Sequence, residues 1–156
     1  MYDTLTELAK DLESFVDSNG IGYNTPKAIL YGVKFTEQGG ARFLNLATHG
    51  DVYELLSDPK SAQLACDNDA IGLLTCGWAS PVGDEDDENS ELPPSVHPKR
   101  RRVRLLVVAN RELNGMVSVL RFADDAENPI IDEGKATGAL ADEVQNLIIR
   151  ANANNN

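Results

Sequence analysis

The chain has 156 residues, 42% of them hydrophobic, and its 25 acidic and 14 basic residues give a formal net charge of −11. This length and composition exclude a disordered chain and predict a single globular domain, residues 1–156, with a core of its own. The negative charge also disfavours nucleic acid and anionic membrane surfaces as partners, because their phosphate groups would be repelled.

The first elements are predicted by hydrophobic periodicity. Leucine, phenylalanine and valine recur at helical spacing over residues 3–19, which predicts an amphipathic helix. Thr4 and Glu7 suit a capping box at its start, and Gly20 suits the position just beyond its end. Alternating apolar residues then predict a strand over residues 28–35 and a hairpin to a second strand over residues 41–47.

The middle of the chain is less regular. Residues 51–56 predict a short helix that stops before Pro59, and residues 61–66 a further helical turn. Residues 69–79 predict a third strand, in which Gly72 and Gly77 indicate a bulge or a close approach of the backbone. Residues 80–98 contain the acidic run 84–88 and several prolines. Such a composition cannot offset the entropy of ordering, so it predicts a mobile acidic loop inserted in the domain.

The strongest pattern is a hairpin. Residues 101–110 and 116–122 are rich in valine and leucine and flank an Asn114-Gly115 corner, and they predict the fourth and fifth strands. An acidic loop (123–135), a helix (136–151) and a disordered tail (152–156) are expected to follow. The sequence therefore predicts an α+β fold with a single five-stranded, mainly antiparallel sheet. The N- and C-terminal helices and one short middle helix would pack on that sheet.

Few residues are suited to acid–base chemistry near neutral pH. Of the two histidines, His97 falls in the predicted mobile loop, whereas His49 stands at the end of a strand. Asp51 could orient the His49 ring, and Tyr53 and Arg42 could contribute to the same catalytic or ligand-binding site. The plainer interpretation of this cluster is the N-terminal cap of a helix.

Other motifs predict no metal and no cofactor. The side chains that could ligate a metal lack the spacing of a zinc site: His49, Cys66, Asp67, Asp69 and Cys76. Cys76 beside Gly77 and Trp78 could be a thiol nucleophile, but no histidine base is evident, so a small buried thiol is favoured. Residues 134–138 (GKATG) lack the Walker spacing and leave only a weak anion site at the start of the last helix.

The two cysteines are too few for a disulfide scaffold and indicate reduced thiols. Residues 1–7 lack the pattern of a signal peptide, and no run approaches the roughly 20 apolar residues that span a bilayer. The sequence therefore predicts a cytoplasmic protein without a membrane partner.

A basic run, Lys99–Arg102 with Arg104, could bind nucleic acid. No aromatic residue is interleaved with it to stack a base, and the acidic run 84–88 is close enough in sequence to neutralise it. Charge pairing, or protection of an edge strand from aggregation, is the favoured interpretation.

Two stretches resemble members of a widespread, uncharacterised actinobacterial protein family. They are residues 97–109 (HPKRRRVRLLVVA) with 118–125 (SVLRFADD), and residues 134–142 (GKATGALAD). The resemblance covers about the C-terminal third of the chain and implies no known activity. The predicted element order, α-β-β-α-β-β-β-α, is similar to that of roadblock and profilin-like domains.

These observations predict a non-enzymatic α+β interaction or regulatory domain. We expect it to self-associate as a homodimer, through an exposed strand edge or an apolar helix face. The alternative is a small hydrolase or small-ligand-binding protein with its site around His49 and Asp51.

Overall fold

The computed structural model describes residues 2–80, 92–112, 115–133 and 139–153. Within them lie four α-helices: α1 (Leu5–Ser18), α2 (Val52–Ser57), α3 (Pro59–Ala65) and α4 (Ala139–Ala153). The strands are β1 (Ala28–Phe35), β2 (Ala41–His49), β3 (Ala70–Ala79), β4 (Arg101–Asn110), β5 (Met116–Phe122) and β6 (Asp125–Glu133). They form one sheet in the order β2-β1-β3-β4-β5-β6, and every neighbouring pair is antiparallel.

Helices cover both faces of the sheet, so the α+β fold has three layers. Leu106 and Val108 of β4 are buried in one core, beneath α1. Val107 and Ala109 alternate with them and are buried in a second core, beneath α2, α3 and α4. Successive side chains of a strand point to opposite faces, so a strand that is apolar at every position must be covered on both. β4 is therefore an interior strand of the sheet.

Helix α1 begins and ends as the sequence predicts. Thr4 is its N-cap and accepts a 3.2 Å hydrogen bond from the backbone N–H of Glu7 through its hydroxyl oxygen. The Glu7 carboxylate accepts in return from the N–H of Asp3 at 3.1 Å. Gly20 has φ of 78° beyond the last turn, and its N–H donates to the carbonyl of Asp17. This left-handed conformation favours glycine, because a Cβ atom would crowd the backbone there.

The prediction of five strands is wrong, because residues 125–133 form a sixth strand where an acidic loop was expected. β6 pairs with β5 in a register that sets Ile131 opposite Val119 and Ile130 opposite Leu120. It is an edge strand, so its acidic side chains can stay in water, and Pro129 can be accommodated where no N–H is needed.

Helix α3 is a separate element, although Pro59 was interpreted only as the end of α2. Proline suits the first helical position, where its missing N–H has no helical acceptor to lose. Asp58 caps the new helix by accepting from the N–H of Lys60 at 2.9 Å. The helical turn predicted over residues 61–66 lies largely within α3, so the middle of the chain has two short helices where the predicted fold counted one.

The predicted hairpin is confirmed: β4 pairs with β5 from Val103 opposite Phe122 to Ala109 opposite Met116. Its corner residues 113–114, the acidic run 84–88 and the 134–138 motif lie outside the described residues. In the described part of segment 80–98, Pro94–Val96 form a 3-10 turn and the side chain of His97 is buried.

At the C-terminus, α4 includes Asn152 and Ala153, which the sequence assigned to the tail. Residues 154–156 lie outside the described part of the chain. No helix within the described ranges combines the length and apolar character needed to cross a membrane.

The prediction for Gly72 is confirmed. A Cβ atom there would lie 2.4 Å from Cδ2 of Leu12, so α1 approaches the sheet closely at this point. A Cβ on Gly77 would meet no atom within 4 Å.

Candidate functional site

The end of β2 positions His49 beside the start of α2. Asp51 caps α2, because its carboxylate Oδ1 accepts from the N–H groups of Tyr53 at 2.9 Å and Glu54 at 3.2 Å. The Asp51 carboxylate therefore caps α2. The backbone N–H of Asp51 donates to Nδ1 of His49 at 2.8 Å. The other ring nitrogen, Nε2, lies 3.1 Å from the carboxylate of Glu54.

The structure brings together His49 and Asp51, but not the other two candidates of this site. Tyr53 is half exposed and contributes only its backbone N–H to the cap. Arg42 pairs with Lys34 at the far end of β2, seven residues and about 23 Å from His49. Glu54 is the partner that sequence reasoning missed. Glu54 is three residues after the cap, the position of the carboxylate in a capping box, so the sequence did indicate that it lies near the start of α2.

The capping role of Asp51 predicts a modest change in stability. Asp51→Ala is expected to lower the free energy of unfolding by about 1 kcal/mol, whereas Asp51→Asn, which can also cap, should lose only a fraction of that. Urea unfolding of both variants measures the difference. Equal losses in the two variants would contradict the capping role.

A buried ionic cluster joins α1 to the sheet. Glu13 is 5% exposed, and its carboxylate accepts two hydrogen bonds from Arg121, at 2.7 Å from Nη2 and 3.0 Å from Nε. Arg104 is 1% exposed and donates from Nη1 to Asp17 at 2.7 Å. Its Nη2 lies 3.5 Å from Glu13, an ion-pair contact in which no hydrogen bond is formed.

The spacing of the acidic residues along α1 and the pairing of β4 with β5 bring these four side chains together. Glu13 and Asp17 are four residues apart and share one face of α1. Arg104 and Arg121 are directly opposite each other on β4 and β5, so both reach that face. The sequence showed Arg104 only as a member of the basic run, and its carboxylate partners come from the covering helix α1.

Electrostatics favour the charged form of both arginines in the cluster. The hydrogen bond to Glu13 raises the pKa of Arg121 above the ordinary arginine value. Burial alone lowers the pKa of Arg104, but the hydrogen bond and charge of Asp17 outweigh burial and raise it. Tyr23 lies 4.8 Å from the Arg104 guanidinium, and burial raises the pKa of its hydroxyl.

Beside the cluster a cleft of 650 Å³ opens between α1 and β6. Its volume is that of a small-ligand site. Its walls include Glu13, Asp17 and Arg121, whose charges are already paired within the cluster. The cluster therefore acts first as the electrostatic attachment of α1 to the sheet.

The cysteines and acids of the described residues form no group of three or more that could hold a metal ion. Cys76 is half-buried on β3, and its thiol donates to the carbonyl of Gly22 at 3.6 Å. Trp78, two residues later on the same strand, lies beside the basic run.

Within the described residues, some arginines of the basic run pair with carboxylates and others lie over an aromatic ring. Arg101 forms a bidentate ion pair with Asp124 and lies 3.9 Å from the centroid of the Phe122 ring. Arg100 and Arg102 lie over the ring of Trp78. The run thus has an aromatic neighbour that the sequence did not reveal. Protection of an edge strand is wrong as its explanation, because β4 is interior.

The two edges of the sheet differ in chemistry. β6 carries Pro129 and a row of acidic residues, both of which discourage the addition of a further strand. β2 has nine residues and no proline, and Arg42 is its one residue with a permanent charge. Leu44 of β2 is 40% exposed. In the described ranges, no strand covers the outer side of β2.

The chain matches no family model, no curated protein and no solved structure. The resemblances to the actinobacterial family and to roadblock and profilin-like domains therefore stay predictions. The observed order of elements adds β6 and α3 to the order on which the second resemblance depends.

Proposed function

We propose that this protein is a non-enzymatic interaction domain that self-associates by pairing the β2 edges of two copies. The observation that carries the proposal is the contrast between the edges: within the described residues no strand covers the outer side of β2, whose one irregularity is a bulge at Leu46, whereas β6 carries Pro129 and a row of acidic residues. An open edge of this length accepts a further antiparallel strand through main-chain hydrogen bonds.

The sequence of β2 suits pairing with itself. In an antiparallel pair centred on Asn45, Leu44 lies opposite Leu46 of the other copy, and Arg42 lies opposite Thr48. No like charges face each other, so the cross-strand contacts are favourable. A two-fold axis through Asn45 makes each contact twice, as closed dimers require.

The two leucines also continue an existing core. Leu46 packs against the core beneath α2, α3 and α4. Leu44 is opposite Gly32 of β1 and is 40% exposed. Pairing of two edges would gather four leucines on one face and remove this apolar surface from water.

Leu44→Lys is expected to weaken the dimer at least about tenfold, because each copy loses buried apolar surface and the two lysines repel each other. Analytical ultracentrifugation over a concentration series measures the dimer dissociation constant. Ile130→Lys is the matched control, since Ile130 is 57% exposed on the other edge, and it should leave the dimer unchanged. A wild-type monomer at high micromolar concentration, or equal weakening by Ile130→Lys, would contradict the proposal.

A further inference from the structure

Trp78, Arg100 and Arg102 form a compact surface group, here called the arginine–tryptophan patch. Trp78 of β3 is directly opposite Arg102 of β4, and Arg100 immediately precedes β4. The guanidinium carbon of Arg100 lies 4.8 Å from the centroid of the indole ring, and that of Arg102 lies 4.9 Å away. Trp78 remains 38% exposed, so the patch is accessible to a partner.

The two guanidinium charges of the patch are not neutralised within the described residues. Neighbouring arginines have carboxylates: Arg101 pairs with Asp124, and Arg121 with Glu13. No carboxylate in the described ranges forms an ion pair with Arg100 or Arg102. Arg100 donates from Nη1 to the carbonyl of His97 at 3.2 Å, and Arg102 from Nε to that of Tyr23 at 2.5 Å.

Each guanidinium therefore keeps N–H donors for a further acceptor, and the planar guanidinium fork matches a carboxylate. Acidic residues outnumber basic ones by 25 to 14 in this chain, so two arginines without a carboxylate partner among the described residues are a local exception to its charge. Tryptophan and arginine are also the residue types that most often dominate the binding energy of protein interfaces.

We propose that the arginine–tryptophan patch binds a short acidic segment of a partner protein. Its carboxylates would pair with Arg100 and Arg102, and Trp78 would supply the apolar contact. The patch belongs to β3 and β4, which β1 separates from the β2 edge, so this proposal stands independently of self-association.

Two observations favour a short peptide over nucleic acid. The guanidiniums already lie over the indole ring, so a nucleobase would have to displace them in order to stack there. A long polyphosphate would also extend beyond the patch over the surface of a chain whose net charge is −11. A short segment avoids that surface, because charges more than about 8 Å away are largely screened at physiological salt.

Trp78 is the single tryptophan of the chain, so its fluorescence reports directly on the patch. The probe is a synthetic oligoglutamate peptide, titrated into the full-length protein at low and at physiological ionic strength. We expect a saturable change in emission whose affinity falls as salt rises. Arg100→Gln with Arg102→Gln should weaken binding at least about tenfold, since two charge-assisted pairs are lost.

Lys27→Gln with Lys34→Gln is the matched control: it removes two exposed positive charges outside the patch and should leave the affinity unchanged. If the double arginine variant does not fold, Arg100→Gln alone serves, because Arg100 is exposed and outside the strand.

The absence of any saturable emission change would overturn the proposal. So would tighter binding of a single-stranded oligonucleotide of equal charge, which would indicate a nucleic-acid site. Binding that appears only after residues 84–88 are changed to amides would also overturn it, because the chain's own acidic run would then occupy the patch.

Discussion

Replacing Glu13 by alanine is expected to lower the free energy of unfolding by about 3–5 kcal/mol, the range for breaking a buried ion pair. The Glu13 carboxylate contacts two arginines: it accepts two hydrogen bonds from Arg121 and forms an ion-pair contact with Arg104. Arg104 is 1% exposed and cannot turn to water. The variant would leave it with Asp17 alone, while Arg121 would lose its carboxylate.

Urea unfolding measures this difference, with Glu127→Ala as the control. Glu127 lines the same cleft but is exposed, and it forms no ion pair among the described contacts, so its removal should change stability by less than about 0.5 kcal/mol. Glu13→Gln should fall between the two, because it keeps the shape of the side chain and loses the charge. A Glu13→Ala protein as stable as Glu127→Ala would show that the cluster contributes nothing to folding.

Arg111 is expected to give the second largest effect, about 2–4 kcal/mol on replacement by alanine. Its guanidinium donates to the carbonyls of Ala65, Cys66 and Asn68 at the end of α3, and its Nε donates to Asn152 of α4 at 2.7 Å. Removing it leaves several part-buried acceptors without their charged donor and detaches two helices from the end of β4.

Asn152→Ala removes the contact of Arg111 with α4 and leaves its contacts with the end of α3. It removes the amide that accepts from Arg111 Nε and donates to the Arg111 carbonyl at 2.9 Å, and it should lower stability by about 1 kcal/mol. Thermal or urea unfolding compares the two variants. The arrangement is contradicted if Arg111→Ala is no less stable than the exposed Arg42→Ala variant.

The elements whose signals are local could be predicted from sequence. Thr4 and Gly20 mark the ends of α1 by their own hydrogen bonding and backbone conformation, and the β4–β5 hairpin follows from its valine-rich runs. β6 could not be predicted in this way, because Ile130 and Ile131 are its only large apolar residues. An edge strand stays largely in water, and what fixes it is the neighbour with which it pairs.

Contacts between distant residues account for the rest of what was missed. The sequence shows Arg104 only as part of a basic run, because its partner Asp17 is 87 residues away in the chain. Trp78 is separated from Arg100 and Arg102 by the segment that carries the acidic run, so only the β3–β4 register brings them together.

The position of β2 at the edge of the sheet is also set by contacts that the local sequence does not show. The runs over 28–35 and 41–47 carry similar apolar signals, yet β1 is interior and β2 is an edge. Among the residues predicted for the His49 site, Asp51 is the one whose observed role, the cap of α2, was assigned from sequence.

Hydrogen exchange of the β2 backbone amides tests self-association through this edge most directly. We expect the amides of Ala41–His49 to exchange more slowly at high than at low protein concentration, because an edge strand gains hydrogen-bond partners when two copies pair. The concentration dependence should vanish in Leu44→Lys. Exchange of β2 that is the same at all concentrations, or protection that develops on β6 instead, would contradict the proposed function.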